Sequence, residues 1–351
     1  MKYYSLLFVL VILVMGCEKN KNPVSTQKDN LYVNSSILTD NYCYSIQISQ
    51  IPLDNIDETL RIYNSLKTKY LVYYYKGPNK ENYLIWESKI NVGCFDSKID
   101  AENYINIFKN VEGYESKVDS IRLFIDSYKN EFDIISTPST IWKRSDNYTE
   151  ELFIFDSTTV QRSSLSVYSK AVISPDGNNV VFYFNKKIIK LNLKTLKTTT
   201  LVENSDVYFW GLFNSQPRWS YNGEYIAFLD IYRWETTTSL WIIRPDGSNL
   251  TCLIDNTNIN REAIKSFLWH PAKNEIIFVE GYPYGTITIG GSLYFCDLDG
   301  NKHILAEKNI EHKKEIHFKF FIDDKNIFYR VGQLDEEYMQ ISYSDHTIEI
   351  P

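Results

Sequence analysis

The sequence predicts an all-β propeller of about five to six four-stranded blades, not necessarily a complete set, behind a small α+β domain of order βαββαβ. Three observations carry this. A turn-centred hairpin recurs four times in the C-terminal half, a second hairpin follows each copy at a period of roughly 50 residues, and the N-terminal half switches to two stretches of helical period. The 351 residues divide into a leader (1–17), a tether (18–40), the α+β domain (41–120) and the propeller (130–351).

The leader starts with Met1-Lys2, runs apolar from Leu6 to Met15, and ends in Gly16-Cys17 before the polar Glu18-Lys19-Asn20. The run is too short for a bilayer-spanning helix and has the layout of a secretory signal. Val14-Met15-Gly16-Cys17 resembles the bacterial lipobox, which implies that Cys17 is the lipidated first mature residue; the other reading is an ordinary secretory signal with a chance cysteine. More than one acyl chain on Cys17 is enough for stable anchoring. The segment to about Ser36, rich in Asn, Lys, Ser and Thr, reads as a flexible tether.

In the α+β domain a strand from Tyr44 to Ile51 precedes a helix from Ile56 to Lys69, with Ile56, Leu60, Tyr63 and Leu66 at helical spacing. Strands Tyr70 to Lys76 and Tyr83 to Val92 follow, then a helix from Lys98 to Val111 stopped by Gly113, and a last strand from Tyr114 to Asp119. Tyr44-Ser45-Ile46-Gln47-Ile48-Ser49, with Lys89-Ile90-Asn91-Val92-Gly93-Cys94-Phe95 and Ala101, resembles the SPOR domain, an envelope module that binds peptidoglycan glycan strands. Ser49-Gln50 and Cys94 depart from that pattern, and a ferredoxin-like packing module is the other reading. Period-two alternation turns Ile46, Ile48, Ile90 and Val92 toward the helices and leaves Gln47, Ser49, Lys89 and Asn91 on an open face. Tyr73 and Tyr75 join them there, unless Val72 and Tyr74 exchange roles with them. Amides among aromatic rings suit a sugar polymer, so these six residues are the expected glycan-binding face.

The propeller repeats begin with Val172-Ile173-Ser174-Pro175-Asp176-Gly177 running into Val180-Val181-Phe182. The pattern returns as Arg218-Trp219-Ser220-Tyr221-Asn222-Gly223 into Ile226-Ala227-Phe228, as Leu268-Trp269-His270 into Ile276-Ile277-Phe278, and as Phe320-Phe321-Ile322-Asp323 into Ile327-Phe328. Each is a strand, a tight turn and a second strand. Second hairpins are expected at Ile188–Val202, Leu240–Ile254, Leu293–Ala306 and Tyr338–Ile350, and a degenerate earlier copy from Phe132 through Ser136-Thr137-Pro138-Ser139 to Asp156. The turn with its aliphatic-aromatic strand resembles the WD40-like repeat of TolB and related periplasmic propellers. That resemblance implies a blade face for an envelope protein partner; a β-sandwich is the alternative fold.

A formal net charge of -7 supplies no electrostatic footprint for nucleic acid. Cys43, Cys94, Cys252 and Cys296 form no CxxC pair and read as buried thiols, although an exported chain could pair them. The chain has no Gly-x-Ser-x-Gly elbow, HExxH helix or P-loop. His270 stands at the Ser place of its turn, and Gly290-Gly291-Ser292 reads as a flexible blade entry. No cofactor or metal is implied. The expected protein is therefore a non-enzymatic adaptor, lipid-anchored at the outer membrane and facing the periplasm, with peptidoglycan on one module and a protein on the other. A propeller-bearing enzyme or enzyme accessory, or a surface ligand-binding lipoprotein, is the alternative.

Overall fold

The computed structural model describes residues 40–351 apart from 53–54, 79–85, 96, 130, 138, 146–148, 155–169, 185–186, 204–215, 232–237, 257–261, 283–289, 310, 312, 318–319 and 336–339. Cys17, its leader and the tether through residue 39 lie outside the described residues. Among the described residues no helix is long and apolar enough to cross a membrane.

The N-terminal unit is β1 (Asp40–Pro52), α1 (Ile56–Leu66), β2 (Val72–Pro78), β3 (Trp86–Phe95), α2 (Lys98–Glu112) and β4 (Lys117–Tyr128), the expected βαββαβ order. Local chemistry sets the helix ends. Asn55 and Ser97 cap the N-termini through their side chains, accepting from the backbone N–H of Glu58 and Asp100, and Gly113 ends α2 in the left-handed region at φ 79. Both helices cover one sheet face, where Ile46, Ile48, Ile90 and Val92 pack with Ile62, Tyr63, Leu66 and Phe108.

The last strand differs from expectation in length. β4 continues to Tyr128, and past the helices it pairs with β5 (Phe132–Ser136), which leads into β6 (Thr140–Arg144) and β7 (Thr149–Ile154). One seven-stranded sheet of order β2-β3-β1-β4-β5-β6-β7 results. The degenerate repeat thus starts with β4 rather than at Phe132, and Phe155 and Asp156 lie outside the described residues.

Next come a four-stranded sheet of β8 (Val172–Ile173), β9 (Asn179–Phe184), β10 (Lys187–Asn192) and β11 (Thr198–Glu203), and another of β12 (Arg218–Trp219), β13 (Ile226–Ile231), β14 (Thr238–Ile243) and β15 (Thr251–Ile254). The remaining strands are β16 (Ala263–Trp269), β17 (Ile276–Gly281), β18 (Gly290–Cys296), β19 (Lys302–Ala306), β20 (Lys314–His317), β21 (Phe321–Ile322), β22 (Asn326–Leu334) and β23 (Gln340–Glu349). They share one eight-stranded sheet, because β20 pairs with both β18 and β22. The hairpin expected over Tyr338–Ile350 is a single strand, β23, paired along β22. Ser344-Asp345-His346 offers no glycine to reverse the chain, and the segment stays extended.

Repeated antiparallel sheets stacked face to face give a propeller-like architecture. The apolar runs of the second strands show why, since both faces of each are buried. Val180 and Phe182 face the first unit, where Ile134, Ile141 and Leu152 meet them, while Val181 faces Trp219, Ile226 and Phe228 of the next sheet. Ala227 and Leu229 meet Ile264, Phe267 and Trp269, and Ile277 and Val279 meet Ile316, Ile322 and Ile327. A sheet sandwiched between two others wants no polar alternation, as with any sheet covered on both sides.

Polar contacts add to this stacking. Trp219 Nε1 donates to the Val172 carbonyl at 3.0 Å, and one unit later Trp269 Nε1 donates to the Arg218 carbonyl at 2.9 Å. The repeated tryptophan therefore pins the preceding first strand. Trp269→Phe should cost about 0.5–1.5 kcal/mol by removing one net hydrogen bond from the Arg218 carbonyl, which keeps its ladder pairing with Ala227, read as a lower urea midpoint at unchanged slope; an unchanged midpoint would mean that the bond contributes nothing. In the turns, Ser174 Oγ and Ser220 Oγ accept from the Asn179 and Tyr225 N–H, and His270 Nδ1 does the same for Ala272 and Lys273. His270 thus caps a turn, and burial holds its pKa below the usual value.

Candidate functional site

The expected glycan face is not open. Gln47 is 4% exposed, Lys89 7%, and Tyr73 and Asn91 0%. The alternation separates the faces as expected, with Val72 and Tyr74 on the helix side and Tyr73 opposite. The second face is nonetheless covered by the chain itself. Tyr73 and Leu71 pack on Ile135 and Trp142, and Ser139 Oγ accepts the Tyr74 N–H at 3.1 Å. Asn91 Nδ2 is spent on Ser45 Oγ at 2.6 Å and Asp119 Oδ2 at 3.2 Å. On the helix side Glu151 of β7 accepts from the Tyr63 hydroxyl and pairs with Lys67. The physical reason is the continuation of β4, which carries β5 and β6 over the sheet. The side chains of Ser49 and Tyr75 lie outside the described residues.

A different group draws attention where the first strands of three successive units meet. Asp126 near the end of β4 is 4% exposed and accepts the Ile173 N–H of β8 on Oδ2 at 2.7 Å. Arg218, which opens β12, is 6% exposed, and Gln216 two residues earlier is 5% exposed, with Pro217 between them. The backbone of this stretch is held on the far side by Trp269. Among the described residues Arg218 Nε and Gln216 Nε2 are sealed from solvent and have no hydrogen-bond partner. Buried donors are nearly always satisfied, and an orphan costs about 1–3 kcal/mol.

The electrostatics are uneven. Burial pushes Asp126 up to about 7, against the pull of the Ile173 N–H and Arg218. Burial likewise lowers Arg218 to about 9, with Asp126 opposing. Arg218 is thus charged at neutral pH while Asp126 is near its titration, so the net charge of the two falls from about +1 toward zero as pH rises through about 7.

The raised Asp126 pKa means that the native chain holds a proton the unfolded chain has released between about pH 4 and 7. The contribution of this carboxyl to stability is therefore present at low pH and is lost as pH rises through about 7. Asp126→Asn should gain thermal stability relative to wild type as pH goes from 5 to 8, measured by parallel melts; a difference that stays constant with pH would contradict the shift.

Charge also lies near the start of β16, the first strand of the next unit. Lys265 on β16 is lowered to about 8 by burial, with Glu315 of β20 and Glu262 opposing, and Glu262 pairs with Lys308. Among the described residues no group of three or more His, Cys, Asp and Glu is placed to hold a metal. Cys252 and Cys296 are free thiols, pushed up to about 12 chiefly by burial. Sequence reasoning missed Asp126 and Arg218. Only Arg218 left a trace, as the charged first residue of an otherwise apolar repeat strand.

No protein-family model matches the chain, and no curated protein does. Among solved structures it is similar to an oligogalacturonate lyase in complex with manganese, at 10% identity and TM-score 0.44 over 61% of this chain and 63% of that one. It is similar at 10% identity and TM-score 0.46 to the oligogalacturonate lyase of Vibrio parahaemolyticus, over 62% of this chain and 61% of that one. The putative TolB of Agrobacterium tumefaciens aligns at 13% identity and TM-score 0.39 over 76% of this chain and 90% of that one. The chain spans less than two thirds of either lyase.

Proposed function

We propose that the protein is a non-catalytic, ligand-binding lipoprotein of the bacterial envelope, held by Cys17 at the outer membrane and facing the periplasm. Its propeller-like half, read as five blades beginning with β4, takes a polar ligand where the first strands converge. The observation that carries this is two buried, unpartnered donors close in sequence, Arg218 Nε at the start of β12 and Gln216 Nε2 two residues before it. Orphaned donors destabilise the fold, and an acceptor-bearing ligand turns that cost into affinity. Peptidoglycan, the partner implied by the SPOR-like pattern, must then be met by fragments reaching this site or by a surface other than the face of Gln47, Tyr73, Lys89 and Asn91.

The test is a thermal-shift screen of the full-length chain in detergent micelles against small organic acids, neutral sugars and muropeptides. A ligand at about 100 times its Kd stabilises by ~2.7 kcal/mol, or several degrees. The reading is supported by compounds that raise the midpoint of wild type but not of Gln216→Ala, and that are recovered chemically unchanged. Equal shifts in both proteins, or none in either, would overturn the site, and recovered cleavage products would overturn the non-catalytic assignment.

A further inference from the structure

We propose that β23 is a docking edge for a second copy of this chain, the two β23 strands pairing antiparallel about a two-fold axis at His346. The interface is independent of the ligand site proposed above.

A bare sheet edge is a template for another strand, and folded proteins blunt theirs by shortness, lysine, proline or a bulge. The outermost strands of the other repeats are short: six residues in β7 and β11, four in β15 and five in β19. β23 has ten, without proline, glycine or lysine. Its register with β22 runs unbroken from Ser342 to Glu349, and among the described residues no other strand pairs with it. Residues 342–347 are all exposed.

The ladder fixes which backbone groups are on offer. The Ile350 N–H donates to the Lys325 carbonyl at 2.8 Å, and successive residues of a strand turn their N–H and C=O to opposite sides. Ile348, His346 and Ser344 therefore point theirs at β22, whereas Tyr343, Asp345, Thr347 and Glu349 point theirs outward. Arg330 Nε pairs with Asp345 at 2.7 Å, and its guanidinium lies over the Tyr343 ring at 4.4 Å, so both outward residues have their side chains held.

Few two-fold registers join these outward groups, and side-chain chemistry selects one. An axis at Asp345 sets that carboxylate against its own copy, and an axis at Thr347 sets Asp345 against Glu349; like charges directly opposite destabilise a ladder. An axis at Ser344 or Ile348, or closer to either end, leaves outward residues with no partner in the strand. An axis at His346 pairs all four. Asp345 then stands opposite Thr347 of the second copy, and Glu349 opposite Tyr343, so a hydroxyl donor faces a carboxylate acceptor in each pair. His346 meets its own copy in a non-hydrogen-bonded pair, where the side chains of opposing strands come closest. This self-complementarity makes a second copy the occupant, in a closed isologous dimer.

The experiment combines sedimentation equilibrium of the full-length chain in density-matched detergent micelles with cysteine crosslinking. Wild type should dimerise reversibly with concentration. Thr347→Pro, which removes an outward N–H and no bond to β22, should be monomeric. Thr347→Asp sets an acid against Asp345 without altering the backbone and should weaken the dimer about tenfold, a readout that stands even if the proline variant fails to fold. His346→Cys should form a disulfide-linked dimer on mild oxidation, above the wild-type background from the native cysteines and faster than Ser344→Cys. A wild type that is monomeric at every concentration would overturn the interface and leave the edge to a strand of another protein. A dimer that neither Thr347 variant weakens would overturn it as well, and faster linkage through Ser344→Cys would overturn the axis at His346.

Discussion

Gly291→Ala is expected to lower stability by ~3 kcal/mol or more, or to prevent folding, because the added methyl has no side chain to push aside. β18 pairs with β17 from Ser292 to Cys296, and its first residues, Gly290 and Gly291, pair with His317 and Ile316 of β20. A Cβ at Gly291 would overlap the Glu280 carbonyl, and one at Gly290 would overlap that of Ile316. Both obstacles are backbone held in a ladder, so relief requires separating strands. Urea unfolding of the variant measures the loss, and a change within ~0.5 kcal/mol would show the strands to be further apart than they stand here. The sequence reading of Gly290-Gly291-Ser292 as a flexible entry is corrected accordingly: the glycines are a junction between two units.

Trp142→Ala should cost ~3–5 kcal/mol, the range for emptying a buried aromatic site. Trp142 is 1% exposed, packs with Leu71, Tyr73 and Ile135, and donates from Nε1 to Thr140 Oγ1 at 2.7 Å. The wider consequence concerns cooperativity. The ring closes the second face of the N-terminal sheet against β5 and β6, so the variant should unfold both halves at a lower denaturant concentration with far-UV dichroism and tyrosine fluorescence coincident. A loss below ~1 kcal/mol would mean that the face is open after all, and would return Tyr73 and Asn91 to consideration as a glycan surface.

Much of the fold was legible in short-range signals. Ser97 and Gly113 bracket α2 because capping chemistry is local, and the turns at Ser174 and Ser220 form because one hydroxyl can satisfy a nearby N–H. The alternation of Ile46 and Ile48 with Gln47 separated two faces correctly because the strand period is two. It could not say whether the polar face met water. Gln47, Lys89 and Asn91 read as a solvated face in sequence, yet they are buried, on the side of the sheet where Ile135 and Trp142 cover Tyr73.

By itself, then, the sequence determined the N-terminal βαββαβ order, the position of the repeats and their turns, each governed by interactions within a few residues. Tertiary structure alone decided that the N-terminal sheet and the first repeat are one sheet. It also decided that Asp126 and Arg218, 92 positions apart by their numbers, influence each other's charge. The reason is that burial and electrostatic coupling depend on which distant strands pack together, and no local pattern of residue types encodes that.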